Sequence, residues 1–468
     1  MGKQKLRAKD LRSINFQTDK LKSLSVSITA KHLKYSTKKE KLDILADVSA
    51  NPNKYINHEY LAPIANQFMN KEPKIKNAFY DLEKENKPFE MWGKKHIDNN
   101  TIHQMKQAMR LPCVEEGSLM PDAHVGYGIP IGAVISTKNE IIPYAVGVDI
   151  GCRMSLTIFQ EPTSYLSHYK HQIKQALEDH TDFGSKSKKK HSYDHQVLEN
   201  KAFTEFDFLR KLHNKAYIQL GSSGSGNHFV EFGEVELGLN NCFNLTEGKY
   251  LGLLTHSGSR GLGANIAQRY TKIAMEKCKL PREVSQLAWL NADSSEGQEY
   301  WLAMNLAGEY AKACHDVIHQ NLTKALRLKP LKNIENHHNF AWKEQHSNGE
   351  WRFVHRKGAT PAHKGELGII PSTMSTSGYI VSGLGNEKAL NSASHGSGRI
   401  MSRSKAKETF TKRMMKEDLK NNGITLIGGS VDEASFAYKN GQKIIDSQLD
   451  LVKIEGTFLP KIIRMNNE

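Results

Sequence analysis

The chain has little cysteine: Cys113, Cys152, Cys242, Cys278 and Cys314 in 468 residues, an odd number with no C-x-x-C pair. So sparse a set excludes a disulfide framework, and all but Cys152 read as buried apolar fillers. Long apolar runs are missing too, which excludes a helical membrane span. The basic start, Met1-Gly2-Lys3-Gln4-Lys5-Leu6-Arg7, is followed by no apolar core of a secretory signal. Leu6 stands where a myristoylation signal needs Ser or Thr. No internal repeat of fixed period occurs. These absences point to a cytoplasmic protein with no membrane partner.

Positive charge, by contrast, is abundant. Lys and Arg number 65 against 50 Asp and Glu, a formal net charge of +15. Such an excess favours an acidic partner, nucleic acid first, with a plain solvated surface as the alternative. Lys3, Lys5, Arg7, Lys9 and Arg12 crowd the start, and Lys186-Ser187-Lys188-Lys189-Lys190 forms a second block. At 38% apolar and 25% charged, a chain of this length buries one large core, or a core and a smaller satellite.

Residues 1 to 90 read as a helical N-terminal extension. Thr37 and Glu40 form a capping box ahead of Leu42, Leu45 and Val48, and Asn51-Pro52 stops that helix. Leu61, Ile64, Ala65, Phe68 and Met69 repeat the periodicity. Residues 91–468 form the second domain. From about residue 105 short apolar runs alternate with glycine, predicting strands over 129–135, 154–159, 229–235 and 250–254. The segment 164–204 is a polar, Lys-rich insertion, and residues 299–326 carry the stripe of a long core-facing helix. The class is α+β, with its chemistry at strand ends and in Gly-rich loops.

Those loops carry a recurrent set of donors. Asp149 and Cys152 lie three residues apart in the loop after the apolar run 141–148, which reads as a strand, and Gly151 lets both turn towards one ion. Carboxylate with thiolate suits Mn2+, Zn2+ or Fe2+; a buried cysteine beside a turn aspartate is the ordinary alternative. Asn227-His228 ends a Gly/Ser loop able to approach phosphate. His256 closes a strand four residues before Arg260, as a ligand beside a phosphate contact or as a hydrogen-bonded core histidine. In His337-His338-Asn339 only one imidazole can easily face a shared site. Pro371-Ser372-Thr373-Met374-Ser375 is a tight turn able to hold a base or ribose. One Asp, one Cys and three His make two cations plausible, with the thiolate between them. His395, hemmed by Ser394, Gly396, Ser397 and Gly398 with Arg399 beyond, is then left as a nucleophile. Attack on an α-phosphorus would give a nucleotidyl-histidine.

Together these segments resemble the RtcB family of RNA ligases. The residues that carry the likeness are Pro121-Asp122-Ala123-His124-Val125-Gly126, Val146-Gly147-Val148-Asp149-Ile150-Gly151-Cys152, Gly226-Asn227-His228-Phe229, 256–261, His338-Asn339 and 394–399, in family order over about 105–440. The resemblance implies the family's own fold, with large β-sheets wrapped by helices, and two Mn2+ on Asp149, Cys152, His228, His256 and His338, Cys152 bridging. It implies GTP as the nucleotide and His395 as the guanylylated residue. Asn227, His228, Asn339, Pro371, Ser372, Thr373, Met374, His395, Gly396, Ser397 and Gly398 would line the GMP site. Asp122, Arg260, Arg399 and Arg403 would lie near the RNA ends. The implied reaction joins RNA 2′,3′-cyclic-phosphate or 3′-phosphate ends to 5′-hydroxyl ends, on tRNA-like or other damaged RNA, with room for an activating helper protein. A dinuclear metal-dependent RNA-end hydrolase and a catalytically silent RNA-binding paralogue are the alternatives. Departures mark a divergent paralogue: Ser372 and Ser375 replace two family glycines, Gly378 stands where a nucleotide-contacting Ser is common, and the family's C-terminal lysine has no clear counterpart.

Overall fold

A computed structural model describes residues 6–7, 10, 11, 14, 16, 19–69, 78–184, 193–239 and 241–467. The block Lys186–Lys190 and Lys3, Lys5, Lys9 and Arg12 lie outside them. The chain divides into a unit of Met1–Lys76 with Lys201–Leu212, and a larger unit holding the rest.

In the small unit the helices Asp19–His32, Lys38–Ala50 and Ala62–Met69 surround a core of Leu45, Val48, Leu61, Ile64 and Ala65. Both halves of the Thr37–Glu40 capping box are present, and Asn51 caps the other end of that helix.

The larger unit is built on an eight-stranded and a five-stranded sheet, with two-stranded pairs beside them. In the eight-stranded sheet the order along the path is Pro330–His337, Arg153–Phe159, Gly248–Ser257, Phe229–Leu237, Val452–Met465, Gly378–Gly383 and Leu367–Ile370, with Thr425–Ile427 pairing off the C-terminal strand. It curls until its edges meet: Asn336 Oδ1 accepts from the Ile369 N–H at 2.9 Å, and its amide faces the Ile369 carbonyl at 3.4 Å. Arg153–Phe159 is buried at every position, so strict alternation fails there. Met154, Leu156 and Ile158 fill the inside of the curl with Phe458 and Ile380. The outside is covered by Leu177, Ile318 and Leu322 from helices.

The long helix, Ser295–Leu326, begins earlier than its apolar stripe indicates, because Ser294 caps it. His315 and His319 on this helix face the strand of His256. The Asn333 amide donates to Thr157, whose hydroxyl reaches His319 (2.7 Å); Thr255 lies between His319 (2.8 Å) and His315 (2.5 Å). His315 Nε2 ends the chain on the Ser257 carbonyl at 3.2 Å. Donors and acceptors match with both imidazoles neutral. Burial holds them so, pushing His319 down to about 3 and His315 well below its ordinary value.

Two expectations need correction. The run 141–148 is not a strand: after the pair Glu140–Ile141, Pro143 opens a helical turn, Pro143–Val146. Cys242 is exposed in the loop before the strand Gly248–Ser257, whereas Cys113, Cys152, Cys278 and Cys314 are buried.

Candidate active site

Three strand ends and two turns converge on a cavity of about 370 Å³. Cys152 enters the strand Arg153–Phe159, His228 precedes Phe229–Leu237, and His256 lies near the end of Gly248–Ser257. Cys152 Sγ is 3.3 Å from His228 Nε2 and 3.2 Å from His256 Nε2, and His256 Nε2 is 3.3 Å from His338 Nε2. His228 Nε2 also stands 3.1 Å from Asp149 Oδ2. The Cys152 sulfur therefore stands between His228 and His256 in one buried cluster, with Asp149 beyond His228 and His338 beyond His256. The neighbouring imidazole of the pair, His337, turns away and stacks on Phe340.

The local sequence explains this crowding. A Cβ at Gly258 would lie 2.1 Å from Asp149 Oδ1, and one at Gly224 would lie 1.7 Å from His228 Nδ1. Asn339 ties the loop down: its carbonyl accepts from Gly151 N (2.7 Å), its side-chain oxygen from Gly358 N (2.8 Å), and its amide approaches the Asp149 carbonyl (3.3 Å). Asn339 thus lines the cavity with its polar atoms already engaged.

The donor set fits a divalent cation. His256 Nδ1 lies 3.0 Å from the Asn227 carbonyl, which can only accept, so Nε2 presents a bare lone pair to Cys152 and His338. His228 Nδ1 and His338 Nδ1 are buried without partners. Burial pushes His256 down to about 3 and His338 well below the ordinary histidine value. Burial, then the Asp149 carboxylate, push the Cys152 thiol well up. Burial works to raise Asp149, but the His228 hydrogen bond and charge hold it low. Neutral imidazoles, a carboxylate and a costly thiolate converging on one point are what a cation would stabilise.

His395 stands next to this centre, its ring 5.0 Å from that of His338. One oxygen of the fully buried Asp122 accepts from His395 Nδ1 (2.7 Å), His395 N (3.2 Å) and Gly396 N (3.3 Å). Burial tends to raise Asp122; the hydrogen-bonded His395, with the Lys439 charge beyond it, overcomes this and keeps the carboxyl low. With Nδ1–H committed, His395 Nε2 carries the free lone pair. Asp122, placed near the RNA ends by resemblance, therefore sits behind the histidine.

The remaining candidates divide. Asn227, Pro371, Ser372, Thr373, Met374, Gly396, Ser397, Gly398, Arg399 and Arg403 all line the cavity. Arg399 donates to the Asp432 carbonyl (2.7 Å) and the Tyr438 hydroxyl (3.1 Å), and Arg403 pairs with Asp432 and Glu433. Arg260 is not in the lining; it opens the helix Arg260–Lys277 and donates to the Gly184 carbonyl at 2.8 Å. The substituted turn is held by hydroxyls: Ser372 bonds Thr376 (2.7 Å) and Ser397 (3.1 Å). Lys461 pairs with Glu234 at 3.8 Å outside the cavity, where the C-terminal strand contributes Phe458, Pro460, Ile463 and Met465.

Residues not singled out in the sequence also line the cavity, among them Tyr127, Glu231 and Lys357. Strand alternation from Phe229 was a signal for Glu231, whose carboxyl burial raises well above the ordinary value. Lys357, lowered by burial to about 8, donates to the Tyr127 carbonyl.

Fold and site define an α+β enzyme whose cation-type donors and carboxylate-held histidine share one cavity. The model of a family described as tRNA-splicing ligase RtcB matches residues 104–464. The RNA-splicing ligase RtcB of Escherichia coli (strain K12) is 32% identical over 404 residues, covering 80% of this chain and 96% of the relative. The tRNA-splicing ligase RtcB of Nanoarchaeum equitans is 30% identical over 468 aligned residues, covering 83% and 98% respectively. The chain belongs to the RtcB family, a family of nucleic acid ligases. No helix among the described residues is long and apolar enough to cross a membrane.

Proposed function

We propose that this protein seals RNA 2′,3′-cyclic-phosphate or 3′-phosphate ends to 5′-hydroxyl ends, using GTP and Mn2+, through a guanylylated His395. The observation that carries the reading is the Asp122–His395 pair beside the buried Cys152, His228 and His256 cluster. Asp149, Cys152, His228, His256 and His338 would hold two ions. Bound there, they would supply charge neutralisation for phosphates.

His395 Nε2 attacks the α-phosphorus of GTP, and pyrophosphate leaves. Asp122 holds the imidazole in the required tautomer and balances the positive charge that grows on it. The GMP then passes to an RNA 3′-phosphate, which restores His395. The RNA 5′-hydroxyl attacks that activated phosphorus, and GMP leaves. A cyclic end first takes up water to open. Lys357 offers a cavity cation for phosphate oxygens. Glu231 offers a buried carboxyl that the N1–H and 2-amino group of guanine, a donor pair that adenine lacks, would draw into its charged, accepting form. A hydrolase would leave the Asp122–His395 pair without a task.

A sealing assay tests the reading. An RNA with a 2′,3′-cyclic phosphate, a 5′-hydroxyl RNA, GTP and Mn2+ should give a ligated product with the parent and none with His395→Ala. Release of a 3′-phosphate or 3′-hydroxyl end without joining, undiminished in His395→Ala, would point to hydrolysis instead.

A further inference from the structure

At the mouth of the cavity the ring of Tyr127 is 80% exposed, although the residue lines the site. The backbone around it is unusually well held for a surface loop. Gln104 Nε2 donates to the carbonyls of Gly126 (2.7 Å) and Gly128 (2.8 Å), and Gln104 Oε1 accepts from Gly126 N (3.1 Å). The Tyr127 carbonyl accepts from Lys357 Nζ. Val125, two residues earlier, is 53% exposed, and Val148, in the same cavity lining, is 50% exposed.

We propose that Tyr127 is a stacking platform for an unpaired base next to the RNA break. The inference rests on the RNA-end reading above and extends it to substrate positioning. A phosphate drawn to the Cys152–His395 centre leaves its nucleoside to project towards the mouth, where an aromatic face and two apolar side chains wait. Bases of single strands stack on such faces. Because the loop is already pinned, stacking orders one side chain and little backbone, so little of the gain is lost to entropy. A protein partner is the poorer match. Three separate apolar side chains at a cavity mouth fall short of the contiguous patch that a protein interface needs.

Binding of a short fluorescent single-stranded RNA with a 3′-phosphate and a 5′-hydroxyl tests this, beside the same RNA with abasic nucleotides at both ends. Tyr127→Ala should weaken the intact RNA by roughly fivefold to a hundredfold, the range of base–aromatic stacking. Tyr127→Phe should bind like the parent. All three proteins should bind the abasic RNA alike, which also shows that the substitution leaves the fold intact. Parent-like binding of the intact RNA by Tyr127→Ala would overturn the proposal. So would an equal loss on both RNAs, which would mean a structural role. Failure of the ligase reading itself would show separately, as a parent protein that does not seal ends.

Discussion

Three N–H groups of residues 395 and 396 converge on one oxygen of Asp122, and that convergence makes it the residue on which the proposed chemistry turns. Asp122→Asn keeps the volume but removes the charge that steadies the imidazolium. Guanylylation should slow by about a hundredfold or more, with GTP affinity little changed, in single-turnover kinetics. An unchanged rate would remove Asp122 from the mechanism. Lys357 makes a pH prediction. Burial favours its neutral form and sets its value at about 8, so the charge is present at pH 7 and lost by pH 9. GTP should therefore bind several-fold more weakly at pH 9, and equal affinity at both pH values would exclude a phosphate contact. His395, Asp149, Cys152, His228 and His256 could be singled out in the sequence because each sits in a short motif beside glycine, and His338 because it stands in the run His337-His338-Asn339. The Asp122–His395 bond was not, since it joins positions 273 apart. Nor was Lys357, an ordinary basic residue until a cavity encloses it.

At the scale of elements, the site exists because strand ends from one curled sheet bring Cys152, His228 and His256 together, while His338, just past the end of the neighbouring strand Pro330–His337, adds a fourth donor. The shared sulfur predicts unequal effects of single substitutions on metal content. After Mn2+ loading and dialysis, elemental analysis should find two ions per chain in the parent. His228→Asn and His338→Asn should retain about one each, and Cys152→Ala close to none. Two ions retained by Cys152→Ala would contradict the bridging assignment. Apolar runs located three strands of this sheet, at 154–159, 229–235 and 250–254, to within a few residues, and left its other strands unmarked. The run 141–148 misled because apolarity reports burial, and Pro143 converts a buried run into a helical turn. The closure of the sheet by Asn336 left no trace in any local pattern, being a contact between its first and last strands.

For the whole molecule, buried neutral histidines set the acid limit of stability. His319 and His355 are held by burial at about 3 and about 4, below the ordinary 6.5 that each regains on unfolding. The unfolded chain takes up protons first, so stability is complete above pH 6.5 and falls as the pH drops towards 4. Each such group contributes up to about 1.4 kcal/mol per pH unit in that window. Urea unfolding of chelator-treated protein should show the loss between pH 6.5 and 4. A flat profile would mean that these imidazoles are reached by water.

The account as a whole asks one histidine to carry a nucleotide. Intact-mass analysis after incubation with GTP and Mn2+, followed by peptide mapping, measures that directly. The account predicts a gain of one GMP per chain, mapped to His395 and absent from His395→Ala. No gain with GTP, or an adduct that persists in His395→Ala, would contradict it.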